Sequence, residues 1–247
     1  MFLTAVGFLG CSDSAGDKES AESEPDRAAE LETAVPNLIK SMVTIPGKSY
    51  KMGKCEVTQA QWEAVMGTNP SHIKGGNNPV EHVSWNDCQE FLKRLNASPE
   101  VKQSGLFFRL PTDVEWEYAC RADSTGDYCK LTDGTEIGEA TLGDVAWYEK
   151  NAQGVTHPVG KKKPNAFGLY DMHGNVEEWC KTKTGDLCTL RGGSWKSSPR
   201  RCTCVSGEGL PSSTRFDRIG FRLLAHGAGP AVQASTNGVS AVKKGGD

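Results

Sequence analysis

The chain has no apolar run near the ~20 residues that cross a bilayer, no Cys-x-x-Cys pair and no excess of positive charge. Its 28 Lys and Arg are outnumbered by 31 Asp and Glu, which leaves a net charge of -3 and a pI near 6.0. That balance excludes a dedicated nucleic-acid binder, which carries a strongly basic domain. The missing Cys-x-x-Cys spacing removes support for a zinc ribbon or a thioredoxin-type site. Of the 247 residues, 37% are hydrophobic and 8% aromatic, enough for one domain with a proper core and flexible ends.

What is present begins with nine cysteines, many for a reducing cytosol and too few for a scaffold built on disulfides. Cys11 closes a short apolar run, Met1-Phe2-Leu3-Thr4-Ala5-Val6-Gly7-Phe8-Leu9-Gly10, that resembles the end of a bacterial lipoprotein signal. The resemblance implies lipidation of Cys11 and a membrane anchor, at the outer membrane or cell surface. Ser12 to Glu32 is rich in Ser, Ala, Asp and Glu, and residues 12–40 read as a disordered acidic tether. Residues 41–226 read as the folded domain, and residues 227–247, rich in Gly, Ala, Ser and Val, as a second disordered stretch.

Of the remaining eight cysteines, Cys88 and Cys120 fall on apolar helix faces, where a thiol is usually a small buried hydrophobe. The pairing of the eight cannot be deduced. His82, His157 and His173 are far apart with no metal spacing, so a structural role is expected of each.

Within the domain, Met42–Ile45 and Tyr50–Gly53 flank a Pro46-Gly47 turn and predict a hairpin. Thr58, Ser84 and Thr112 each stand where a helix N-cap belongs. Behind them Trp62, Val65 and Met66, then Cys88, Phe91, Leu92 and Leu95, then Trp116, Ala119 and Cys120 recur at helical spacing. Leu106–Leu110 predicts a strand, Val155 and Val159 suggest another, and Ala122 to Asp144 reads as loop. A few short helices among many short strands, in no alternating order, predict an α+β domain.

The C-terminal part of this domain carries the unusual chemistry. Gly192-Gly193 precede Trp195, and Ile219, Phe221 and Leu223 alternate as a half-buried strand does. Between these ends lies a polar loop with Arg191, Lys196, Arg200, Arg201, Arg215, Arg218 and Arg222 against only Glu208 and Asp217. A pinned loop of that kind is where binding or chemistry is placed. Arg200 and Arg201 predict an acidic partner, because guanidinium groups pair with carboxylates bidentately.

Three groups of residues bring a family into view: Arg109-Leu110-Pro111-Thr112 with Glu115-Trp116-Glu117-Tyr118-Ala119, Gly168-Leu169-Tyr170-Asp171-Met172 with Gly174-Asn175-Val176, and Arg191-Gly192-Gly193-Ser194-Trp195 with Gly220-Phe221-Arg222. Together they resemble the formylglycine-generating-enzyme, or sulfatase-modifying-factor, domain over roughly Ser41 to His226. The resemblance implies a C-type-lectin-like fold. Its oxidase members activate copper through two cysteines, five residues apart, after the Gly-Gly-Ser-aromatic motif. Here Cys202 matches the second, but the first falls on Ser197, and a hydroxyl does not suit a soft cuprous ion. The oxidase reading would need Cys204 to stand in for the missing thiol.

Residues 191–223 are similar to the region of a second branch, the variable proteins of diversity-generating retroelements, treponemal ones included. There, residues between an Arg-Gly-Gly-Ser-Trp start and an Ile-Gly-Phe-Arg-Leu end are diversified by adenine-directed mutagenesis. The resemblance implies a non-enzymatic, surface-displayed protein, expected to be a monomer, that binds an unknown protein or cell-surface ligand. Its candidate ligand-binding residues are Ser197, Ser198, Arg200, Arg201, Thr203, Ser206, Thr214, Phe216, Asp217 and Arg218. Lys196 and Glu208 fit less well, because adenine changes in an Asn codon do not yield them. No cofactor is required, although Asn175 and Glu178 resemble a structural calcium turn of the family. Asp171 and Glu177 could pair as acid and base, but no nucleophile stands beside them in sequence.

Overall fold

The computed structural model describes residues 24–227, with side chains from residue 31 onward. Cys11 and the run before it, the tether up to residue 23 and the tail after Gly227 lie outside the described residues. From Glu24 on, the expected disordered tether is corrected: Glu24–Lys40 is a helix, α1. Polar composition hides its periodicity, in which Leu31, Val35, Leu38 and Ile39 share one face and Val35 and Leu38 are buried against the core.

The hairpin expected after Ser41 forms from β1 (Met42–Thr44) and β2 (Tyr50–Gly53). Helix α2 (Gln59–Met66) starts at Thr58 and α3 (Trp85–Ala97) at Ser84, each with a complete capping box. In both, a side chain three residues into the helix also binds the N-cap amide, so two otherwise unpaired donors are satisfied at each start. A short helix α4 (Pro99–Ser104) leads to β3 (Leu106–Arg109), and Thr112 opens α5 (Asp113–Arg121) with a third capping box. The long stretch to Gly174 is irregular apart from a 3-10 turn at Glu139–Asp144 and the parallel pair β4 (Ala146–Trp147) and β5 (His173–Gly174). The strand suggested by Val155 and Val159 does not form. That segment is turns, and alternation of two valines alone is too weak to hold a ladder.

The remaining strands are β6 (Glu177–Thr184), β7 (Leu187–Arg191), β8 (Gly207–Pro211), β9 (Ile219–Gly220) and β10 (Leu224–Gly227). They complete two four-stranded sheets, ordered β1-β2-β10-β3 and β8-β7-β6-β9. The loop expected between Trp195 and Ile219 therefore contains an edge strand. β8 pairs with β7 in a register that sets Arg191 opposite Gly207 and Leu187 opposite Pro211. Its Gly-Glu-Gly-Leu-Pro sequence is poor in β-branched residues, and only the ladder to β7 reveals it.

Between the helices and the sheets, Trp62 stacks on Phe91 at 5.3 Å while the edge of Phe221 meets Phe91 at 5.3 Å. Phe221 thus joins the C-terminal end of the polar segment to the helical layer. Helices gathered beside two largely antiparallel sheets, in no βαβ order, make the α+β class that the residue pattern predicts.

One buried ion pair ties the two sheets together. Arg222, between β9 and β10, donates from Nε and Nη2 to both carboxylate oxygens of Glu178 on β6, at 2.6–2.9 Å, and neither side chain is exposed. Its Nη1 and Nη2 also donate to the carbonyls of Gly53 at 3.1 Å and Tyr170 at 2.9 Å, and Trp116 Nε1 donates to Glu178 at 2.7 Å. Removing one partner leaves the other charge buried and unmatched. Arg222→Met is expected to cost about 3–5 kcal/mol in urea unfolding, and adding Glu178→Gln should cost less than the sum of the single changes. Additive losses would show that the pair is not the tie.

The third capping box generates a pH-dependent test. Burial alone would raise the Glu115 carboxyl, but the Arg109 guanidinium at 2.6–2.7 Å and the Thr112 N–H and hydroxyl outweigh it and hold it at about 2, below its ordinary 4.5. Because the folded value is depressed, the stabilisation is complete above pH 4.5 and fades as pH falls toward 2. Glu115→Gln should lower stability by roughly 2 kcal/mol at neutral pH, allowing for partial solvent screening. The gap between variant and parent should close in acid; a gap independent of pH would contradict the assignment.

Candidate ligand-binding site

The segment from Arg191 to Leu223 is held at its two ends by buried groups. Arg191 is 7% exposed; its guanidinium pairs with Asp113 and Glu117 on α5 and donates to the carbonyls of Cys204 and Val205. Gly193 has φ +71°, and a Cβ there would stand 2.8 Å from both the Arg201 carbonyl and Cys202 Sγ. Only glycine lets the chain after β7 run this close to the returning loop. Trp195 is buried and donates Nε1–H to the Asp217 carbonyl at 3.1 Å, which stitches the beginning of the segment to its end.

Between these anchors the chain paves a concave site of about 360 Å³ lined by Glu149, Glu177, Lys196, Ser197, Ser198, Arg201, Glu208 and Arg218. Its deepest charged group is Glu177, 4% exposed at the start of β6. Arg218 and Arg201 both form ion pairs with Glu177, and Arg201 also pairs with Glu208 on β8. At the rim Lys196 reaches Asp217 at 2.8 Å, and Phe216, 44% exposed, lies under the Arg218 guanidinium at 5.0 Å. An exposed aromatic braced by an arginine is a rigid apolar contact that needs little ordering on binding.

The structure brings some of the sequence-predicted residues together and separates others. Ser198, Arg201 and Arg218 line the concave site, while Phe216 and Asp217 stand beside it through Arg218 and Lys196. Ser206 lies in a narrow cleft behind, with Glu177, Arg201 and Glu208. Arg200 and Thr203 line a different hollow of about 610 Å³, with Asp127, Tyr128 and Glu139. Thr214 belongs to the turn after β8, bonded through its N–H to Pro211.

Two expected contact residues are corrected. Ser197 and Thr203 are buried, because their hydroxyls serve the loop itself: Ser197 Oγ accepts from the Ser194 amide at 3.0 Å, and Thr203 Oγ1 accepts from the Ser206 amide at 3.0 Å. The cationic loop is corrected as well. Arg191 and Arg222 are buried, Lys196, Arg201 and Arg218 pair within the segment or with Glu177, and Arg215 pairs with Asp87. Among the described residues, Arg200 is the loop arginine with no carboxylate partner. Sequence reasoning missed Glu149 and Glu177 as site residues, and it set Lys196 and Glu208 aside on codon grounds. The Glu177-Glu178 pair within a buried aromatic stretch was the available signal, since one of two adjacent buried carboxylates had to face each way along β6.

The residues of the expected calcium turn make hydrogen bonds within the frame. Glu178 is committed to Arg222 and Trp116, while Asn175 Oδ1 accepts from the His157 amide at 3.0 Å and its Nδ2 donates to Glu56 at 2.7 Å. Both are fully buried, with the Glu178 oxygens and Asn175 Oδ1 already hydrogen-bonded within the protein. Asp171 and Glu177 do not form an acid and base pair: Asp171 accepts from the Gly160 amide at 2.7 Å, and Glu177 faces the arginines.

The residues at the family's copper position do not fit that ion. Ser197 offers a hydroxyl already bonded to Ser194, and burial pushes the single thiol, Cys202, up to about 12. Cys204 does not replace the missing ligand, because it turns the other way, with Sγ 3.2 Å from Cys120 Sγ and beside His173. The hydrogen bond from Cys120 is the largest influence on Cys204 and, with His173, holds that thiol down to about 5. Burial opposes a charged His173, yet Cys129 and Cys204 outweigh it and push the imidazole up to about 10.

Known proteins place this architecture. The sulfatase-modifying factor enzyme 1-like domain matches residues 15–226. Chaperone protein LppX of Paenibacillus barcinonensis is 29% identical over 250 residues, 80% of this chain and 87% of that protein. The formylglycine-generating enzyme of Thermomonospora curvata is 32% identical over 179 residues, 69% of this chain and 52% of the enzyme, so the chain spans about half the enzyme's length. The solved structure of Treponema denticola variable protein 1 aligns with a TM-score of 0.63 at 28% identity, over 74% of this chain and 91% of that one. With the capping boxes, the Arg222–Glu178 tie and the Gly-Gly-Ser-Trp turn all in place, the chain belongs to the formylglycine-generating-enzyme, or sulfatase-modifying-factor, domain family, with its C-type-lectin-like fold.

Proposed function

We propose that this chain is a non-enzymatic, lipid-anchored binding protein whose residues 191–223 are diversified by a retroelement to vary what it recognises. The observation that carries the reading is the contrast within that segment. Arg191, Trp195, Phe221 and Arg222 are buried in the frame, whereas Lys196, Arg200, Arg201 and Phe216 face outward. Side chains there can change without touching the core, and surface changes of that kind usually fall within about ±0.5 kcal/mol.

The likeness to Treponema denticola variable protein 1 supports the same reading, as it is spread over most of both chains. The anchor reading rests on Cys11 and the apolar run before it. Among the described residues, no helix is long and apolar enough to cross a membrane. The ligand is a protein or cell-surface group bearing carboxylates, met by Arg200 and by the Phe216–Arg218 ledge. An oxidase would need a second thiol beside Cys202, and Cys204 is engaged with Cys120 instead.

Two measurements check the proposal. The neighbouring DNA should hold a reverse transcriptase and a near-copy of the segment encoding Arg191 to Arg222, differing at adenines; a locus lacking both would overturn the retroelement reading. Copper(I) added to the full chain with a cysteine-containing peptide and oxygen should give no peptide aldehyde; turnover would overturn the non-enzymatic reading.

A further inference from the structure

Three buried side chains from distant parts of the chain converge behind the ligand-binding face. Cys120 on α5, His173 on β5 and Cys204 in the loop ahead of β8 place one ligand atom each within 4.8 Å of one another. Cys120 Sγ lies 3.2 Å from Cys204 Sγ and 3.7 Å from His173 Nε2. All three are 0–1% exposed. The thiol of Cys129 also faces the imidazole, and its backbone N–H approaches Nε2 at 3.2 Å.

The imidazole is held in place by the backbone: its Nδ1 is 2.6 Å from the Cys202 carbonyl, which takes the hydrogen of that nitrogen, and Nε2, which the Cys129 amide reaches at 3.2 Å, is the ring nitrogen nearer Cys120 Sγ. A backbone carbonyl on the far nitrogen is the usual support of a metal-bound histidine, fixing its tautomer and strengthening its donor. The two sulfurs are more than 1 Å too far apart for a bond of ~2.05 Å. They are closer to the ~3.8 Å that separates two thiolates on one tetrahedral zinc with Zn–S of ~2.3 Å.

We propose that Cys120, His173 and Cys204 bind one zinc(II) ion, with Cys129 completing the set. A site of two or three thiolates and one imidazole suits zinc, and its closed surroundings make it structural. On binding, the protons still held by the ligating thiols and by the imidazolium leave to solvent, sulfur and nitrogen lone pairs fill the metal's orbitals, and no electron is transferred. The ion would fasten the loop that carries Arg200, Arg201 and Thr203 to α5 and β5, independently of what that loop binds.

The test uses the full chain, purified under reducing, chelator-free conditions. Metal analysis should find about one zinc per chain, and cobalt(II) put in its place should give a thiolate-to-metal charge-transfer band. Chelation should lower the Tm, and added zinc should restore it in a concentration-dependent way. Cys120→Ala and Cys204→Ala should abolish the band, while Cys88→Ala, at a buried cysteine elsewhere, should keep it. His173→Asn should weaken zinc binding by at least ~10-fold. If a variant does not fold, zinc content and the cobalt band of the parent chain decide. Free thiols with neither zinc nor band, a Cys120–Cys204 disulfide in peptide mapping, or binding of copper(I) alone would each overturn the proposal.

Discussion

The Arg222–Glu178 pair is the interaction on which the rest of the structure depends. A guanidinium and a carboxylate without exposure are costly to bury, and the cost is offset because every direction of approach is used: Glu178 takes Arg222 and Trp116, and Arg222 also reaches Gly53 and Tyr170. Those contacts join β2, the stretch before β5, α5, β6 and the strand-to-strand turn after β9 at one point. The same pair commits both oxygens of Glu178, a residue of the expected calcium turn, to Arg222.

Because Arg222 is tied down, the polar segment ahead of it has both ends fixed. Arg191 against α5 and Trp195 against Asp217 hold the start, and Phe221, packed edge-on against the stacked Trp62 and Phe91, holds the end. Inside those limits the loop satisfies its own backbone with Ser197 and Thr203, and its charges pair mainly with one another and with Glu177. The face is consequently less cationic than its composition suggests. Under the proposed function, recognition rests on shape, on one aromatic ledge and on the charges left unpaired.

Much of the frame was legible in the sequence. The three capping boxes were readable because a side chain three residues past an N-cap is a local signal, and Thr58, Ser84 and Thr112 all deliver it. Three features were not. The apolar face of α1 was hidden in a polar composition, β8 has no strand-forming residues and exists through its pairing with β7, and Cys120, His173 and Cys204 meet only through tertiary folding. Within the candidate site, Arg201 and Phe216 are exposed and Arg218 is half-buried beside Glu177. Ser197 and Thr203 were misread because a short hydroxyl looks the same in sequence whether it meets a ligand or a backbone amide.

The central claim is that the frame and the recognition face are energetically separate. Saturation mutagenesis of residues 191–223, read out as the fraction of each variant that resists protease, tests it most directly. The account predicts wide tolerance at Ser198, Arg200, Phe216 and Asp217 and intolerance at Arg191, Gly193, Trp195, Phe221 and Arg222. Loss of folding at the exposed positions comparable to that at the buried ones would contradict it.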